Sequence, residues 1–158
     1  LMPQSLVRPV GFVPRGHRKK KMTTISNPRF PRFVDEKGTL TNQGQADVAH
    51  GLSVLRHAVA LNNFEKGWRT PDAEPRQFTE MTSLLHSEVT EAFEACRNRE
   101  PVLWYELGKP MGVASELADV IIRVLDWADE HDLPLIEAVL QKHAYNQTRA
   151  YKHGGKLC

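Results

Sequence analysis

Two apolar, helix-forming stretches of this chain each carry a pair of acids three residues apart. The first, MTSLLHSEVTEAFEACR, contains Glu88 and Glu91, and the second, GVASELADVIIRVLDWADEHD, contains Glu116 and Asp119. Residues three apart in a helix lie on neighbouring parts of one surface, so two such helices packed together would gather four carboxylates. Carboxylates that cluster beside apolar side chains need a compensating cation, and Mg²⁺ prefers oxygen ligands. A single E-x-x-E usually marks a solvated face, but two pairs in apolar helices predict a divalent-metal site.

Four segments have apolar residues at helical spacing, and no segment alternates as a strand would. The third segment is apolar on most of its sides, which predicts burial against more than one neighbour, and another subunit is one candidate for such a neighbour. The connection before it, residues 98–112, is expected to hold a short helical turn around Trp104. The predicted fold is all-α, a bundle of four main helices. These helices are expected at about 43–65, 75–97, 113–131 and 134–149.

The two acids of the first pair are expected at the edge of a packed face. The apolar stripe of that helix is predicted to consist of Met81, Leu85, Val89, Ala92 and Cys96. At about 100° per residue, Glu88 lies about 60° from the centre of the stripe and Glu91 about 60° further round. The pair therefore should lie at a packing boundary instead of on a fully solvated face.

The charge is unevenly distributed along the 158 residues. Residues 1–22 carry six basic residues and no acid, whereas the remainder carries 15 basic and 19 acidic residues. We interpret residues 1–22 as a disordered basic tail that could be non-native, with Met22 as a plausible true start. Residues 23–42 read as an extended or looped segment and residues 43–157 as one helical domain. The short RKKK cluster has no interleaved aromatic residues, which argues against nucleic acid as the partner.

The composition is that of a globular protein outside the membrane. No apolar run approaches the roughly 20 residues needed to span a bilayer, and the N-terminal residues lack the apolar centre of a signal peptide. The two cysteines, Cys96 and Cys158, do not form a disulfide framework and are expected to be reduced thiols. Together these features predict a cytoplasmic protein.

A second polar group is predicted on the fourth helix. Lys142, Asn146 and Arg149 are spaced by four and three residues and fall within about 60° of one another on that helix. A lysine, an amide and an arginine can bind phosphate oxygens, although the same spacing also fits a solvated polar face. Beside a divalent-metal site, a phosphate-binding role is the more economical interpretation. The chain has no E-x-x-H pair for a di-iron site, no zinc spacing and no phosphate-binding loop.

These motifs resemble the MazG-like branch of the all-α nucleoside triphosphate pyrophosphohydrolases, in particular its short, single-domain, phage-like members. The hallmark of that family is E-x-x-E followed by E-x-x-D. The matching segments are SEVTEAFEACR and ELADVIIRVLDWADEHDLPLIEAVLQKHAYNQTRAYKHGGK, and the resemblance covers roughly residues 43–157. The segment 23–42 has no counterpart that can be placed.

The resemblance implies a four-helix subunit that forms a dimer or a dimer of dimers. It implies Mg²⁺, with Mn²⁺ as a substitute, held by four acids that also carry the catalysis. The implied reaction is hydrolysis of a nucleoside triphosphate or its deoxy form to the monophosphate and pyrophosphate. By position the acids are Glu88, Glu91, Glu116 and Asp119, and the triphosphate contacts are Lys142, Asn146 and Arg149.

Two interpretations stay open beside this one. A related enzyme of the same superfamily would act on dUTP or on phosphoribosyl-ATP, and a non-catalytic helical dimer would bind nucleotide or nucleic acid. The base pocket is weakly marked, because Trp68, Phe64 and Asn63 could contact a base or could belong to the core or an interface.

Overall fold

The computed structural model describes residues 30–151, in which helices predominate. The four predicted helices are confirmed, and every observed end lies within three residues of its predicted position. Expectations for residues 1–29 and 152–158, including the basic tail and Cys158, lie outside the described part of the chain. The elements in order are α1 (Asn42–Glu65), α2 (Phe78–Arg97), β1 (Trp104–Glu106), β2 (Lys109–Met111), α3 (Val113–Glu130) and α4 (Leu135–Thr148).

Local signals in the sequence set the ends of α1. The Thr41 hydroxyl oxygen caps the helix by accepting a hydrogen bond from the Gly44 backbone N–H at 3.1 Å. Gly67 follows the last turn with φ 76°, a conformation that glycine adopts without steric cost. α2, in contrast, begins at Phe78 with Gln77 as an N-cap that makes no side-chain hydrogen bond.

A small β-hairpin stands where a helical turn was expected. β1 and β2 pair antiparallel, with Trp104 opposite Met111, and Leu107 and Gly108 form the turn. Both turn residues have positive φ, 48° and 86°, as the tight two-residue turns of hairpins require. Asparagine usually occupies the first of these positions, so a leucine there gave the sequence no recognisable hairpin signal.

The described residues divide into two compact units, and the first is Asp72–Trp127. Its anchor is Asp126, which is 1% exposed and forms an ion pair with Arg76. The Trp127 indole N–H donates to the Arg76 carbonyl oxygen at 3.2 Å, and its ring lies 5.4 Å from the ring of Phe78. These contacts tie the start of α2 to the later turns of α3.

Of the described residues, 30–71 and 128–151 make up the second unit. Within it α1 packs against α4. The Asp129 carboxylate accepts a hydrogen bond from Arg69 at 3.0 Å and lies 3.7 Å from Nε of Arg56. The Arg69 guanidinium also stacks over the Phe64 ring, 4.8 Å from its centroid.

Residues 30–41 form a turn-rich segment with one isolated bridge, between Val34 and Leu40, as expected for this stretch. The Asp35 carboxylate accepts hydrogen bonds from the backbone N–H groups of Lys37 and Thr39, each at 2.8 Å. These bonds, the one from Thr39 first, lower the pKa of Asp35. Nε2 of His143, on α4, lies 3.0 Å from the Gly38 carbonyl oxygen and holds the segment in place.

Two glycines of α1 are expected to respond in opposite directions to replacement by alanine. A Cβ at Gly44 would overlap the carbonyl group of Phe33, so Gly44→Ala should lower the free energy of unfolding by about 2 kcal/mol. A Cβ at Gly51 meets nothing within 4 Å, so Gly51→Ala should raise it by about 0.5–1 kcal/mol through helix propensity. Urea denaturation of both variants measures the two changes, and changes of the same sign would contradict this packing.

α3 is apolar on most of its sides, and within this single chain only part of that apolar surface is buried, so its burial against a further neighbour stays a prediction. Leu125 and Ala128 are buried, whereas Leu117 and Ile121 are 48% and 54% exposed. The exposed pair is four residues apart and so lies on one side of the helix.

Among residues 30–151, no helix is both long and apolar enough to cross a membrane.

Candidate metal centre

α2 gives the two acids of its E-x-x-E pair different environments. Glu88 is 6% exposed and lies in the middle of the buried side of the helix, which also contains Met81, Ala92 and Ala95. Glu91 is exposed, and its Oε1 accepts a hydrogen bond from the Ser87 hydroxyl at 3.0 Å. Glu88 is therefore deeper than the packing boundary at which both acids were expected.

The predicted apolar stripe of α2 is wrong in two of its five members, because Val89 is 50% exposed and Cys96 is an exposed free thiol. The buried side is rotated from the predicted one toward Glu88 and Ala95. Val89 and Phe93 lie on an adjacent side that this chain leaves exposed. The inclusion of Val89 displaced the centre of the predicted stripe.

The start of α3 positions the second pair of acids. Gly112, at φ 94°, precedes the helix, and a Cβ there would overlap the Pro101 carbonyl oxygen. The Gly112 carbonyl oxygen then accepts from the Ser115 backbone N–H at 2.9 Å, which closes the first turn. Glu116 follows in that turn and Asp119 one turn later, and both are half-buried.

Three of the four predicted acids converge within the first unit. One carboxylate oxygen from each of Glu88, Glu116 and Asp119 lies within 4.8 Å of the others, and we call these three residues the acid triad. Three carboxylates from two helices form a hard oxygen donor set of the kind that Mg²⁺ and Mn²⁺ prefer. Glu91, the fourth acid of the predicted set, does not belong to the triad.

Burial, and after it electrostatic repulsion at the triad, acts on Glu116. Burial is the largest cause that raises the pKa of its carboxyl group, followed by the negative charges of Glu91, Asp119 and Glu88, while Lys109 on β2 opposes the shift. The negative charge of Glu91 contributes to the raised pKa of Glu116 although Glu91 lies outside the triad. The four acids thus form one interacting group, which a bound cation would stabilise.

Replacing Glu116 by glutamine is expected to stabilise the metal-free protein at neutral pH. Because the pKa of Glu116 is raised in the folded state, that state binds more protons than the unfolded state, and stability falls as the pH rises through the pKa. Glu116→Gln removes this loss, by no more than about 1 kcal/mol because the group is half-exposed. Thermal unfolding in EDTA should give a higher Tm for the variant at pH 7 and similar Tm values at pH 4.

Thermal unfolding of the surface variant Glu94→Gln at the same two pH values supplies the control, since Glu94 is an exposed acid on α2. If Glu116→Gln unfolded at the wild-type temperature at pH 7, burial and repulsion of the Glu116 carboxylate would not destabilise the folded protein.

The sequence analysis missed one basic residue at this site. The Arg123 guanidinium contacts Oε1 of Glu88 through Nε at 2.8 Å and through Nη2 at 2.5 Å. Arg123 lies four residues after Asp119 and seven after Glu116, so helical spacing places it on the same side of α3 as both acids. The sequence shows this spacing, but Arg123 lies in an apolar run and belongs to no motif, so it was not predicted as a site residue.

The predicted phosphate-binding residues lie in the second unit, on the later turns of α4 and at its C-cap. Lys142 and Asn146 are exposed on α4, with Nζ of Lys142 5.5 Å from the Tyr145 ring centroid. Arg149 is the C-cap residue, and its φ of −72° is still helical, whereas its ψ of 143° turns the following chain away from the helix. The spacing of the three residues is therefore helical, and their contact with phosphate stays a prediction.

The aromatic residues proposed for a base pocket follow the end of α1. Trp68 is 78% exposed, so it does not belong to the core of the described chain. Phe64 is partly covered by the Arg69 guanidinium described above.

Comparison of the chain with protein-family models, with curated proteins and with solved structures gives no significant match. The motifs and the geometry of the acid triad are therefore the grounds on which a function is proposed.

Proposed function

We propose that this chain hydrolyses nucleoside triphosphates to the monophosphate and pyrophosphate with the help of a divalent cation. One observation carries the proposal: acids from an E-x-x-E and an E-x-x-D pair, on separate helices, converge in the acid triad. The motif order, which resembles that of MazG-like pyrophosphohydrolases, supports the same reaction.

The donor set fits Mg²⁺ or Mn²⁺. Glu88, Glu116 and Asp119 would hold the cation, and Glu91 would lie beside it. When bound, the cation neutralises phosphate oxygens and the negative charge that develops on the leaving pyrophosphate. The protein contributes carboxylates fixed on two helices, so that little rearrangement is needed when the substrate arrives.

Glu91 is the acid best suited to accept a proton from the attacking water. It is exposed and lies outside the triad, and the Ser87 hydroxyl orients its Oε1. In the proposed step the water oxygen bonds to phosphorus, the anhydride bond between the α and β phosphates breaks, and the proton passes to the Glu91 carboxylate. Pyrophosphate leaves with the electrons of the broken bond.

We further propose that Lys142 and Asn146 contact the triphosphate and that Trp68 stacks on the base. Lysine binds phosphate oxygens as a point charge, and the Asn146 amide can donate to them. Both side chains are exposed, as is that of Trp68. Arg149, the C-cap residue of α4, would be a third contact with phosphate.

The active form in this proposal is a homodimer or a dimer of dimers. Phe78, Val89 and Phe93 fall on one side of α2, and all three are at least half exposed. With Leu117 and Ile121 on α3, they form apolar surface of the kind that subunit interfaces bury. Light scattering coupled to size-exclusion chromatography gives the mass of the assembly directly.

Pyrophosphate release from a panel of canonical and modified nucleoside triphosphates, with Mg²⁺ and with EDTA, tests the reaction. The panel includes dUTP and phosphoribosyl-ATP, because related enzymes of the same superfamily act on these substrates. EDTA-sensitive release with an equal amount of monophosphate is the expected result. No release across the panel from a folded, oligomeric protein would favour the non-catalytic alternative, a helical dimer that binds nucleotide.

A further inference from the structure

Glu88 is a buried carboxylate that already has a cationic partner in the folded chain. Its side chain is 7% exposed, whereas that of Arg123 is 36% exposed, so the guanidinium reaches the carboxylate from the solvent side. Both guanidinium contacts, at 2.8 and 2.5 Å, are made to Oε1. A charged donor on a buried carboxylate forms a strong hydrogen bond, because the surroundings screen it weakly.

The same contact places a positive charge at the edge of the acid triad. When ionised, the triad carries three negative charges, and Arg123 reduces this to two, the charge that one divalent cation balances. A fixed positive charge also repels an incoming cation and holds an oxygen that the cation could otherwise use. Arg123 therefore stabilises the metal-free site and opposes its loading.

We propose that Arg123 is a resident counter-cation that competes with the divalent metal for Glu88 and keeps the affinity of the acid triad for free cation low. The inference rests on the proposed function, since it concerns regulation of the same site. A site of low intrinsic affinity fills when the cation arrives with the substrate, because the negative phosphates offset the charge of Arg123. Metal occupancy is thereby tied to the presence of substrate.

Two simpler roles predict different results. If Arg123 only anchored α3 to α2, its loss would lower stability and leave cation affinity unchanged. If it held Glu88 in the orientation that binds the metal, its loss would weaken cation binding. Competition alone predicts that removing the guanidinium charge tightens the binding of cation.

Titration of the metal-free, full-length protein with Mn²⁺ distinguishes these roles, with electron paramagnetic resonance measuring the unbound ion. We expect Arg123→Gln to bind Mn²⁺ about tenfold more tightly than wild type, equivalent to about 1.4 kcal/mol. Arg123→Lys, which keeps the charge, should bind close to wild type. Equal or weaker binding by Arg123→Gln would overturn the proposal.

A second measurement uses the wild-type protein and covers the case in which Arg123→Gln does not fold. The Nε–H resonance of Arg123, assigned through its loss in Arg123→Lys, is followed by NMR during titration with Mg²⁺. Competition predicts that saturating Mg²⁺ shifts this resonance and speeds its exchange with water, because the hydrogen bond to Glu88 is lost. A resonance that stays unchanged at saturation would contradict competition.

The outcomes separate this inference from the proposed function. Wild-type protein that binds Mn²⁺ and releases pyrophosphate, with no tighter binding in Arg123→Gln, would overturn the role of Arg123 alone. Absence of Mn²⁺ binding in both proteins at millimolar concentration would overturn the metal site and the inference together. Binding of Mn²⁺ by Arg123→Gln but not by the wild-type protein would support the proposal that Arg123 competes with the metal.

Discussion

Replacing Asp119 by asparagine is expected to lower the rate of pyrophosphate release by at least about a thousandfold, because it removes one charged ligand from the acid triad. The side chain keeps its size and remains half-buried on α3, so the helical content should not change. Release from the best substrate of the panel, measured with Mg²⁺, tests the rate, and circular dichroism tests the fold. Mn²⁺ affinity should fall in parallel, since the change acts on the metal site.

Glu94→Gln is the matched control, because it removes one negative charge from an exposed position on α2 outside the triad. Its rate should stay within about twofold of wild type, as expected for a surface change that touches no reacting group. Wild-type-like activity in Asp119→Asn would remove the triad from the mechanism, and an equal loss in both variants would point to general electrostatics instead of a specific site.

The largest expected effect on stability comes from Asp126→Ala. Asp126 is 1% exposed and pairs with Arg76, so removing its carboxylate breaks a buried ion pair and leaves a cavity. Breaking such a pair typically costs about 3–5 kcal/mol. For a chain of this size the loss corresponds to a decrease in Tm of roughly 10 °C. Thermal unfolding in EDTA measures this decrease without any contribution from bound metal.

Glu94→Ala serves as the control for Asp126→Ala, since it removes an exposed acid from the same unit. Its free energy of unfolding should differ from wild type by no more than about 0.5 kcal/mol. If Asp126→Ala were equally mild, the contact between Arg76 and Asp126 would not be an anchor of this unit, and the start of α2 would have to be held mainly by Trp127 and Phe78.

The sequence predicted the four helices well because their signals are local. Apolar residues recur at helical spacing and Gly67 follows α1, and both signals can be read without knowledge of the tertiary fold. The acids of the candidate site were found for a similar reason, since two pairs at helical spacing stand out in apolar stretches. That three of them converge depends on how α2 packs against α3, which spacing alone does not determine.

The burial of individual residues at the site was predicted less well. Hydrophobicity alone does not distinguish a helix face that packs inside the chain from one that the chain leaves exposed. Val89 and Phe93 on α2 are exposed in this chain, and counting Val89 as core moved the predicted centre of burial away from Glu88. The role of Arg123 was missed because a single arginine in an apolar helix has no motif, and its partner lies 35 residues away on another helix.

The division of the chain has a consequence for the order in which the protein folds. Asp72–Trp127 is a continuous stretch, so the contacts of α2, the hairpin and the first part of α3 join residues that are close in sequence. The second unit pairs α1 with α4 and must close a much longer loop. Since local contacts form faster than distant ones, we expect the helices that carry the acid triad to assemble early. During synthesis α2 and α3 leave the ribosome before α4 does, so the candidate site can take shape before α1 and α4 pair.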